Sequence, residues 1–136
     1  FIGTPPSNLV EVTMETNDST LLKGSGITYH LSTDKLRSIK EKTASTEFIF
    51  GVRAEDLQLA KELPSTSNTS AIAHGEVSLI ESFGGFALVD VMIENGIYLR
   101  LSVSRDTKLS IGDKVAITVA NNNVHLYEKS SGKLVI

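Results

Sequence analysis

Apolar and polar residues alternate with a period of two along most of the chain. In an extended strand this alternation places one set of side chains on a buried face and the other in solvent. The apolar positions that define seven such segments are Val10, Val12 and Met14; Ile27, Tyr29 and Leu31; Phe48, Phe50 and Val52; Val77 and Leu79; Ala87, Val89, Val91 and Ile93; Ile97, Leu99, Leu101 and Val103; and Val115, Ile117 and Val119. An eighth, short strand is predicted over Val124–Tyr127. Strands this short and evenly spaced predict an all-β barrel or sandwich.

The connections between these segments carry turn residues. Asn95-Gly96 lies between two alternating segments and predicts a hairpin, because both residues tolerate positive φ. Gly84-Gly85 predicts a second tight connection. Residues 64–70 are one proline followed by small polar residues, which bury too little apolar surface to order themselves. We therefore interpret residues 63–71 as a linker.

One short helix interrupts the strands. It is predicted over residues 34–42, where Leu36 and Ile39 share an inward face. Ser32 or Thr33 precedes it, and either hydroxyl is suited to cap its first turn.

The composition narrows the classes of function. The 136 residues include no cysteine, so disulfides and thiolate chemistry are excluded, and the net charge of −3 disfavours a nucleic-acid partner. The three histidines (His30, His74 and His125) lack carboxylates at ligand spacing, so no metal site is predicted. No phosphate-binding loop of the Gly-x-x-x-x-Gly-Lys-Ser/Thr type occurs, and no catalytic residue is predicted. Because the chain begins at Phe1 in an apolar stretch, we interpret it as a piece of a longer protein.

Three segments, in order, resemble the C-terminal part of the ATPases of sugar-type ABC importers, such as the maltose-importer ATPases. Phe1–Leu9 (FIGTPPSNL) is similar to the family's Phe-Ile-Gly-Ser-Pro-Pro-Met-Asn-Phe stretch. Phe50–Leu57 (FGVRAEDL) is similar to its Gly-Ile-Arg-Pro-Glu-Asp motif, with Ala54 in place of the proline. His125–Lys133 (HLYEKSSGK) is similar to its closing His-Leu-Phe-Asp-x-x-Thr-Gly pattern, with Tyr127 in place of the phenylalanine.

The resemblance implies a fold: two small interleaved barrels like oligonucleotide-binding (OB) folds, known as a TOBE domain. We expect residues 1–62 and 123–136 to form the first lobe and residues 72–122 the second, joined by the linker at 63–71. The first half supplies too few strands to close a barrel alone, so we expect the tail from Val124 to return and pair with it. The motif around Arg53 also predicts a single helical turn through Asp56 and Leu57.

The resemblance also implies a function. Such domains regulate and dimerise the ATP-binding subunit of an ABC transporter, here one for carbohydrate import. ATP and magnesium would bind in the N-terminal domain of the parent protein, which would carry the ATPase activity, and this chain would hold no cofactor and be no enzyme. Its partners would be its own nucleotide-binding domain, a second copy of the subunit and the membrane permease subunits, with no nucleic acid. The parent would work in the cytoplasm, at the inner face of the membrane.

Five residues are candidates for a regulatory or interface role: Arg53, Glu55, Glu81, Gly84 and Tyr127. Each also has a structural interpretation. Arg53 and Glu55 sit at a strand end where local ion pairs are common, and Gly84 suits a turn. Glu81 lies on the polar side of its strand, and Tyr127 is an aromatic residue near the tail.

An oxyanion-binding module is the alternative function. Related small barrels bind molybdate, tungstate or sulfate at junctions between modules. The hydroxyl-rich Ser102, Ser104 and Thr107 would be the ligands in this interpretation.

Overall fold

The computed structural model describes residues 8–61, 71–119 and 123–136. Within these residues, ten strands and one α-helix account for most of the chain, with a short 3₁₀ turn after the fourth strand. The elements in chain order are β1 (Asn8–Met14), β2 (Leu21–Gly24), β3 (Ile27–His30), α1 (Thr33–Lys42), β4 (Glu47–Val52), the 3₁₀ turn (Ala54–Asp56), β5 (Leu57–Lys61), β6 (Ala73–Ser82), β7 (Phe86–Glu94), β8 (Ile97–Ser104), β9 (Lys114–Val119) and β10 (His125–Glu128). The prediction of a β protein with one helix near residues 34–42 is confirmed.

The first sheet has the strand order β10-β4-β1-β2-β3, and all its pairs are antiparallel. Residues of β1 are buried and exposed in strict alternation, as the sequence predicts. Val12 lies opposite Phe48 on β4, and both side chains are buried in the core. The period of two therefore identifies the core face of this sheet correctly.

The second sheet has the order β5-β9-β6-β7-β8 and is also antiparallel. Both predicted tight connections are present: Gly84-Gly85 joins β6 to β7, and Asn95-Gly96 joins β7 to β8. Gly96 has a φ of 81°, which favours glycine.

One buried position of the second sheet was predicted wrongly. The alternation places Leu79 on the same inward face as Val77, yet Leu79 is 43% exposed. The register of β6 against β7 shifts between these two residues. A bulge adds a residue to one strand, so every side chain beyond it points to the opposite face.

The helix begins and packs as predicted. Ser32 is its N-cap, and the Ser32 hydroxyl accepts a hydrogen bond from the backbone N–H of Lys35 at 3.2 Å. Ile39 is buried, and Leu36 packs against the edge of the core. These contacts hold α1 against the first sheet's hydrophobic core.

The tail returns to the first half of the chain. β10 pairs with β4, placing Leu126 opposite Phe50, so the predicted return from Val124 is confirmed.

The position of β5 differs from the expected division into lobes. We placed residues 57–61 in the first lobe, yet they pair with β9 in the second sheet. The chain changes sheets at the 3₁₀ turn, and a strand's pairing partner is set by long-range contacts that alternation does not encode. Residues 63–70 of the predicted linker lie outside the described residues, and the division into lobes stays a prediction.

A single cluster of buried apolar side chains spans both sheets. Phe48 and Phe50 contribute from the first sheet, and Val89 and Leu101 from the second. A backbone hydrogen bond of 2.8 Å from the Thr28 N–H to the Ile72 carbonyl also links the two halves.

Candidate interaction surface

Among the residues that the structure describes, no group of three or more histidine, aspartate or glutamate side chains lies close enough to hold a metal ion. In the same part of the chain, no helix has the length and apolarity needed to cross a membrane.

Arg53 and Glu55 flank the start of the 3₁₀ turn. The Arg53 carbonyl accepts a hydrogen bond from the Asp56 N–H at 3.1 Å, which confirms the predicted single turn. Ala54 is buried, Arg53 is half-buried and Glu55 is exposed. The turn packs against β8, so these two candidates lie where the chain passes from the first sheet to the second.

Glu81 and Gly84 lie at the end of the β6–β7 hairpin. A Glu81 carboxylate oxygen is 3.8 Å from a guanidinium nitrogen of Arg100. Gly84 has a φ of 81°, and its carbonyl accepts a hydrogen bond from Arg105 at 3.3 Å. No atom lies within 4 Å of the position that a Cβ at Gly84 would take, so backbone conformation alone favours glycine there.

Tyr127 lies on the other sheet. It is half-buried on β10, directly opposite Ile49 of β4, and forms an isolated β-bridge with Leu134 of the tail. The five candidates thus occupy three places: the 3₁₀ turn, the β6–β7 hairpin and β10.

An aromatic pair that the sequence analysis missed flanks the glycine turn. Phe83 is 51% exposed and Phe86 is 43% exposed, and the two rings stack with centroids 5.5 Å apart at 16°. A signal for this surface was available in β7, where Leu88 and Met92 alternate with the buried Val89 and so occupy the side expected to be polar.

Arg100 forms the centre of a charged group on the same sheet. Its guanidinium donates to both carboxylate oxygens of Asp90, at 2.9 and 3.2 Å, and lies near Glu81. The hydrogen bonds that Arg100 donates to Asp90 raise the pKa of Arg100 above its already high value, so this arginine is always charged. A two-point contact between planar groups fixes the direction of the guanidinium on the surface.

The backbone of Arg100 is held by a residue of the first sheet. Asn8 is only 5% exposed, and its amide nitrogen donates to the Arg100 carbonyl at 2.8 Å while its amide oxygen accepts from the Arg100 N–H at 2.7 Å. Since β8 is the last strand in the order of its sheet, the Asn8 amide supplies the donor and acceptor that a further strand would offer.

Two of the open cavities on the described surface lie near these elements. One, of about 350 Å³, is lined by both acidic and basic residues, including His74, Glu76 and Lys114. The other, of about 560 Å³, lies between the end of β1 and the end of α1 and is lined mainly by hydroxyl side chains. The hydroxyl of Thr43 in that cavity already donates to Glu128.

The TOBE domain family matches residues 50–126, which is more than half of the chain. The chain belongs to this family.

Two curated relatives align with almost all of this TOBE domain. An sn-glycerol-3-phosphate import ATP-binding protein, UgpC 1 of Rhizobium johnstonii, is 25% identical over 139 residues, which cover 99% of this chain and 34% of the relative. A xylose/arabinose import ATP-binding protein, XacJ of Haloferax volcanii, is 25% identical over 142 residues, covering 99% and 35%. The predicted resemblance to ATP-binding proteins of sugar-type ABC importers is confirmed, and the chain spans about a third of these relatives' length.

A solved structure supports the architecture of the domain. The cytoplasmic molybdate-binding protein ModG, crystallised with molybdate bound, superposes with a TM-score of 0.66 over 92% of this chain and 98% of that chain, at 19% identity. At this identity the likeness concerns the fold, and it confirms the predicted all-β, OB-fold-like architecture.

Proposed function

We propose that this TOBE domain is the regulatory and dimerisation domain of the ATP-binding subunit of an ABC importer for carbohydrates. The observation that carries the proposal is the alignment of 99% of the chain with one third of two import ATP-binding proteins. The substrates in the names of these relatives, glycerol 3-phosphate and the pentoses xylose and arabinose, support a carbohydrate or a related polyol as the solute.

In this proposal the chemistry and the regulation occupy different parts of the parent protein. The 136 residues contain no phosphate-binding loop, so ATP and magnesium bind in the remaining two thirds of the parent. This domain contacts its own nucleotide-binding domain and a second copy of the subunit, and the parent meets the permease at the inner face of the membrane. In this proposal, the domain influences ATP hydrolysis by holding the two ATP-binding subunits together in a fixed relative position.

The proposed regulatory residues are Arg53, Glu55, Glu81, Gly84 and Tyr127. Their distribution over three places fits a domain that touches several partners. Because both sheets share one hydrophobic core, a contact at one of these places can shift the others as a rigid unit.

The test uses the full-length parent reconstituted with its permease in vesicles. We expect Glu81→Ala to change the stimulation of ATP hydrolysis by transported solute while the basal rate stays unchanged, because Glu81 lies outside the nucleotide site. Lys23→Ala, an exposed change on β2, is the control. Normal stimulation in every variant of the five candidates would contradict a regulatory role. Uptake of a metal ion or a polyamine in place of a carbohydrate would contradict the assigned solute.

Oxyanion binding is the second candidate, favoured by the likeness to the fold of ModG. The Ser104 hydroxyl already accepts a hydrogen bond from the Asp106 N–H at 3.3 Å, and the Thr107 N–H donates to the Ser104 carbonyl. Calorimetry with molybdate and tungstate separates the candidates: saturable binding that Ser102→Ala weakens supports the oxyanion function.

A further inference from the structure

The cavity between the end of β1 and the end of α1 joins apolar side chains to a set of hydroxyl groups. Its volume is about 560 Å³, within the range of ~300–1,000 Å³ that is typical of small-molecule sites. Met14 and Ile39 line it and are only 8% and 1% exposed, so they give it an apolar base. The hydroxyl residues that line this cavity, which we call the hydroxyl cavity, are Thr13, Thr16, Ser19, Thr43, Ser45 and Thr46.

Hydrogen bonds fix the walls of the hydroxyl cavity. The Met14 N–H donates to the Thr46 carbonyl at 2.8 Å, which holds the end of β1 against the start of β4. At the end of α1, the Thr43 N–H donates to the Ile39 carbonyl at 3.0 Å. The Thr43 hydroxyl accepts a hydrogen bond from the Ser45 N–H at 3.0 Å, which fixes the segment that follows the helix. The cavity is therefore formed by the fold itself, and a ligand would need to order little of the chain.

Most hydroxyls of the cavity are available to a ligand. Two are engaged: the Thr43 hydroxyl donates to Glu128, and the Ser45 hydroxyl donates to the Glu47 carbonyl at 3.3 Å. The hydroxyls without a hydrogen-bond partner in the part of the chain that the structure describes are those of Thr13, Thr16, Ser19 and Thr46. Each hydroxyl can donate one hydrogen bond and accept two, so the cavity offers donors and acceptors side by side.

The charges in and around the hydroxyl cavity disfavour an anion. One carboxylate and one ammonium line it, those of Glu15 and Lys40. On the adjoining segments the acidic residues are Glu11, Asp18, Glu41, Glu47 and Glu128, and the basic residues are Lys23, Lys42 and Lys129. This region therefore has no excess of positive charge, and the end of α1 adds the partial negative charge of its last carbonyls. A cation, in turn, would meet the ammonium of Lys40 inside the cavity.

The chemistry of the cavity matches a molecule that carries many hydroxyls and no charge. Every hydroxyl of such a ligand both donates and accepts, so it can meet the threonine and serine hydroxyls, the Glu15 carboxylate and the Lys40 ammonium alike. Its C–H groups can pack on Met14 and Ile39. We propose that the hydroxyl cavity binds a small neutral polyhydroxylated molecule, either a monosaccharide or a sugar alcohol. This site goes beyond the proposed regulatory and dimerisation function, and none of the five candidate regulatory residues lines it.

Titration of the isotope-labelled chain, followed by NMR of its backbone amides, tests the site. The probes are D-glucose and D-xylose, each compared with its own sugar alcohol, D-sorbitol and xylitol. Because each new hydrogen bond replaces one with water, we expect affinities in the millimolar range and titrate to about 50 mM. We expect saturable shifts confined to residues 13–19 and 39–46, with a cyclic sugar and its alcohol showing which form the cavity prefers. No saturable shift of these amides with any of the four probes overturns the proposal.

Variants of the lining connect the shifts to the cavity. Thr16→Val combined with Thr46→Val removes two available hydroxyls at exposed positions and keeps the shape of both side chains. We expect this double variant to bind the preferred probe at least about five-fold more weakly, since two hydrogen bonds are lost. Thr118→Val, on β9 of the second sheet, is the matched control and should bind as the native chain does.

A variant that fills the cavity without removing a hydroxyl gives a second measurement. Ala44 lines the cavity and is exposed, so Ala44→Trp places an indole in or over the cavity without replacing a core residue. We expect saturable binding to disappear while the amide spectrum shows a folded chain. Binding that survives in both the double variant and Ala44→Trp contradicts the assignment to this cavity.

Charged versions of one sugar test the class of ligand. D-glucose 6-phosphate adds an anion to the ring, and D-glucosamine at a pH of about 6 adds a protonated amine. We expect both to bind more weakly than D-glucose, because the former meets Glu15 and the end of α1 and the latter meets Lys40. Tighter binding of either charged sugar would overturn the assignment to a neutral ligand. These measurements use the domain alone, so they are independent of the pairing and ATPase assays of the parent.

Discussion

At the scale of single residues, Asn8 has the clearest structural role. Its side-chain amide makes two hydrogen bonds with the backbone of Arg100 and joins the start of β1 to the edge of β8. A buried amide is favourable only where its donor and acceptor are both paired, and here the geometry pairs them with one residue. Asn8 thereby links the two sheets beneath the charged group centred on Arg100.

Replacing Asn8 should lower stability by an amount that reflects unpaired backbone groups. We expect Asn8→Ala to reduce the free energy of unfolding by about 1–3 kcal/mol, since the N–H and C=O of Arg100 lose their partners. Ser78→Ala is the control, because the Ser78 hydroxyl donates to the Asp90 carbonyl in an exposed position and its loss should cost within ~0.5 kcal/mol. Urea unfolding measures both. If Asn8→Ala lowers the free energy of unfolding no more than Ser78→Ala does, water can take over the hydrogen bonds that the Asn8 amide makes with the Arg100 backbone.

At the scale of elements, alternation predicted the core face of most strands but not their partners. β5 follows the 3₁₀ turn directly and pairs with β9, a choice fixed by contacts with residues 54 to 62 positions away along the chain rather than by local pattern. The residues on the exposed face of the second sheet were even harder to predict from the sequence. A bulge turns Leu79 outward, and the pairing of Asp90 with Arg100 depends on a register that shifts between Met92 and Glu94. Bulges of this kind leave little trace in a sequence, so the exposed apolar residues on the outer side of this sheet emerge only from the structure.

Gly75 shows how closely β6 and β7 approach. A Cβ built on Gly75 would lie 2.4 Å from the Met92 carbonyl oxygen and 2.7 Å from a methyl group of Val91. Gly75→Ala should therefore force the strands apart and lower the free energy of unfolding by about 1–3 kcal/mol. Gly85→Ala is the matched control, because no atom lies within 4 Å of its Cβ position. Equal thermal unfolding midpoints for the two variants would show that β6 adjusts without strain.

Glu128 connects β10 to the helix end and to the tail. Its carboxylate accepts hydrogen bonds from the Ser131 hydroxyl, at 2.6 Å, and from the Thr43 hydroxyl, and these bonds lower the pKa of Glu128. A carboxylate whose pKa is lower in the folded state stabilises the fold above its unfolded pKa, and this contribution disappears as the pH falls through the folded pKa.

The contribution of the Glu128 carboxylate should be visible in how the free energy of unfolding depends on pH. We expect wild type to exceed Glu128→Gln in free energy of unfolding at pH 7, and the difference to shrink as the pH falls below the usual glutamate pKa of about 4.3. Urea unfolding at a series of pH values between 7 and 3 measures the difference. Glu41→Gln on the exposed side of α1 controls for the change in net charge. A difference that stays constant with pH would assign the effect of the substitution to shape rather than charge.

At the scale of the whole molecule, the two sheets are packed together. They share a hydrophobic core, and the contacts that join them among the described residues include the Asn8–Arg100 amide, the Thr28–Ile72 hydrogen bond and the approach of Gly26 to the Ile93 carbonyl. Two of the surfaces considered for regulation, the β6–β7 hairpin with Glu81 and Gly84 and the region around Tyr127, lie on different sheets. A rigid connection between separate surfaces is what a domain needs in order to report one partner's binding to another.

Tyr127 tests whether the first sheet carries a regulatory contact of its own. It is half-buried beside Ile49, so Tyr127→Ala should lower the free energy of unfolding of the domain by only about 1–2 kcal/mol, less than the ~3–5 kcal/mol expected for a fully buried aromatic residue. Tyr29→Ala provides that reference, because Tyr29 is 2% exposed and packs edge-to-face on Phe50. In the parent, removing an aromatic contact with few rotatable bonds should weaken subunit pairing or alter the stimulation of ATP hydrolysis, as truncated interface aromatics do. Urea unfolding of the domain and sedimentation and ATPase assays of the parent give the two readouts. If Tyr127→Ala destabilises the domain as much as Tyr29→Ala and leaves pairing and stimulation unchanged, Tyr127 is a core residue and the contact lies elsewhere.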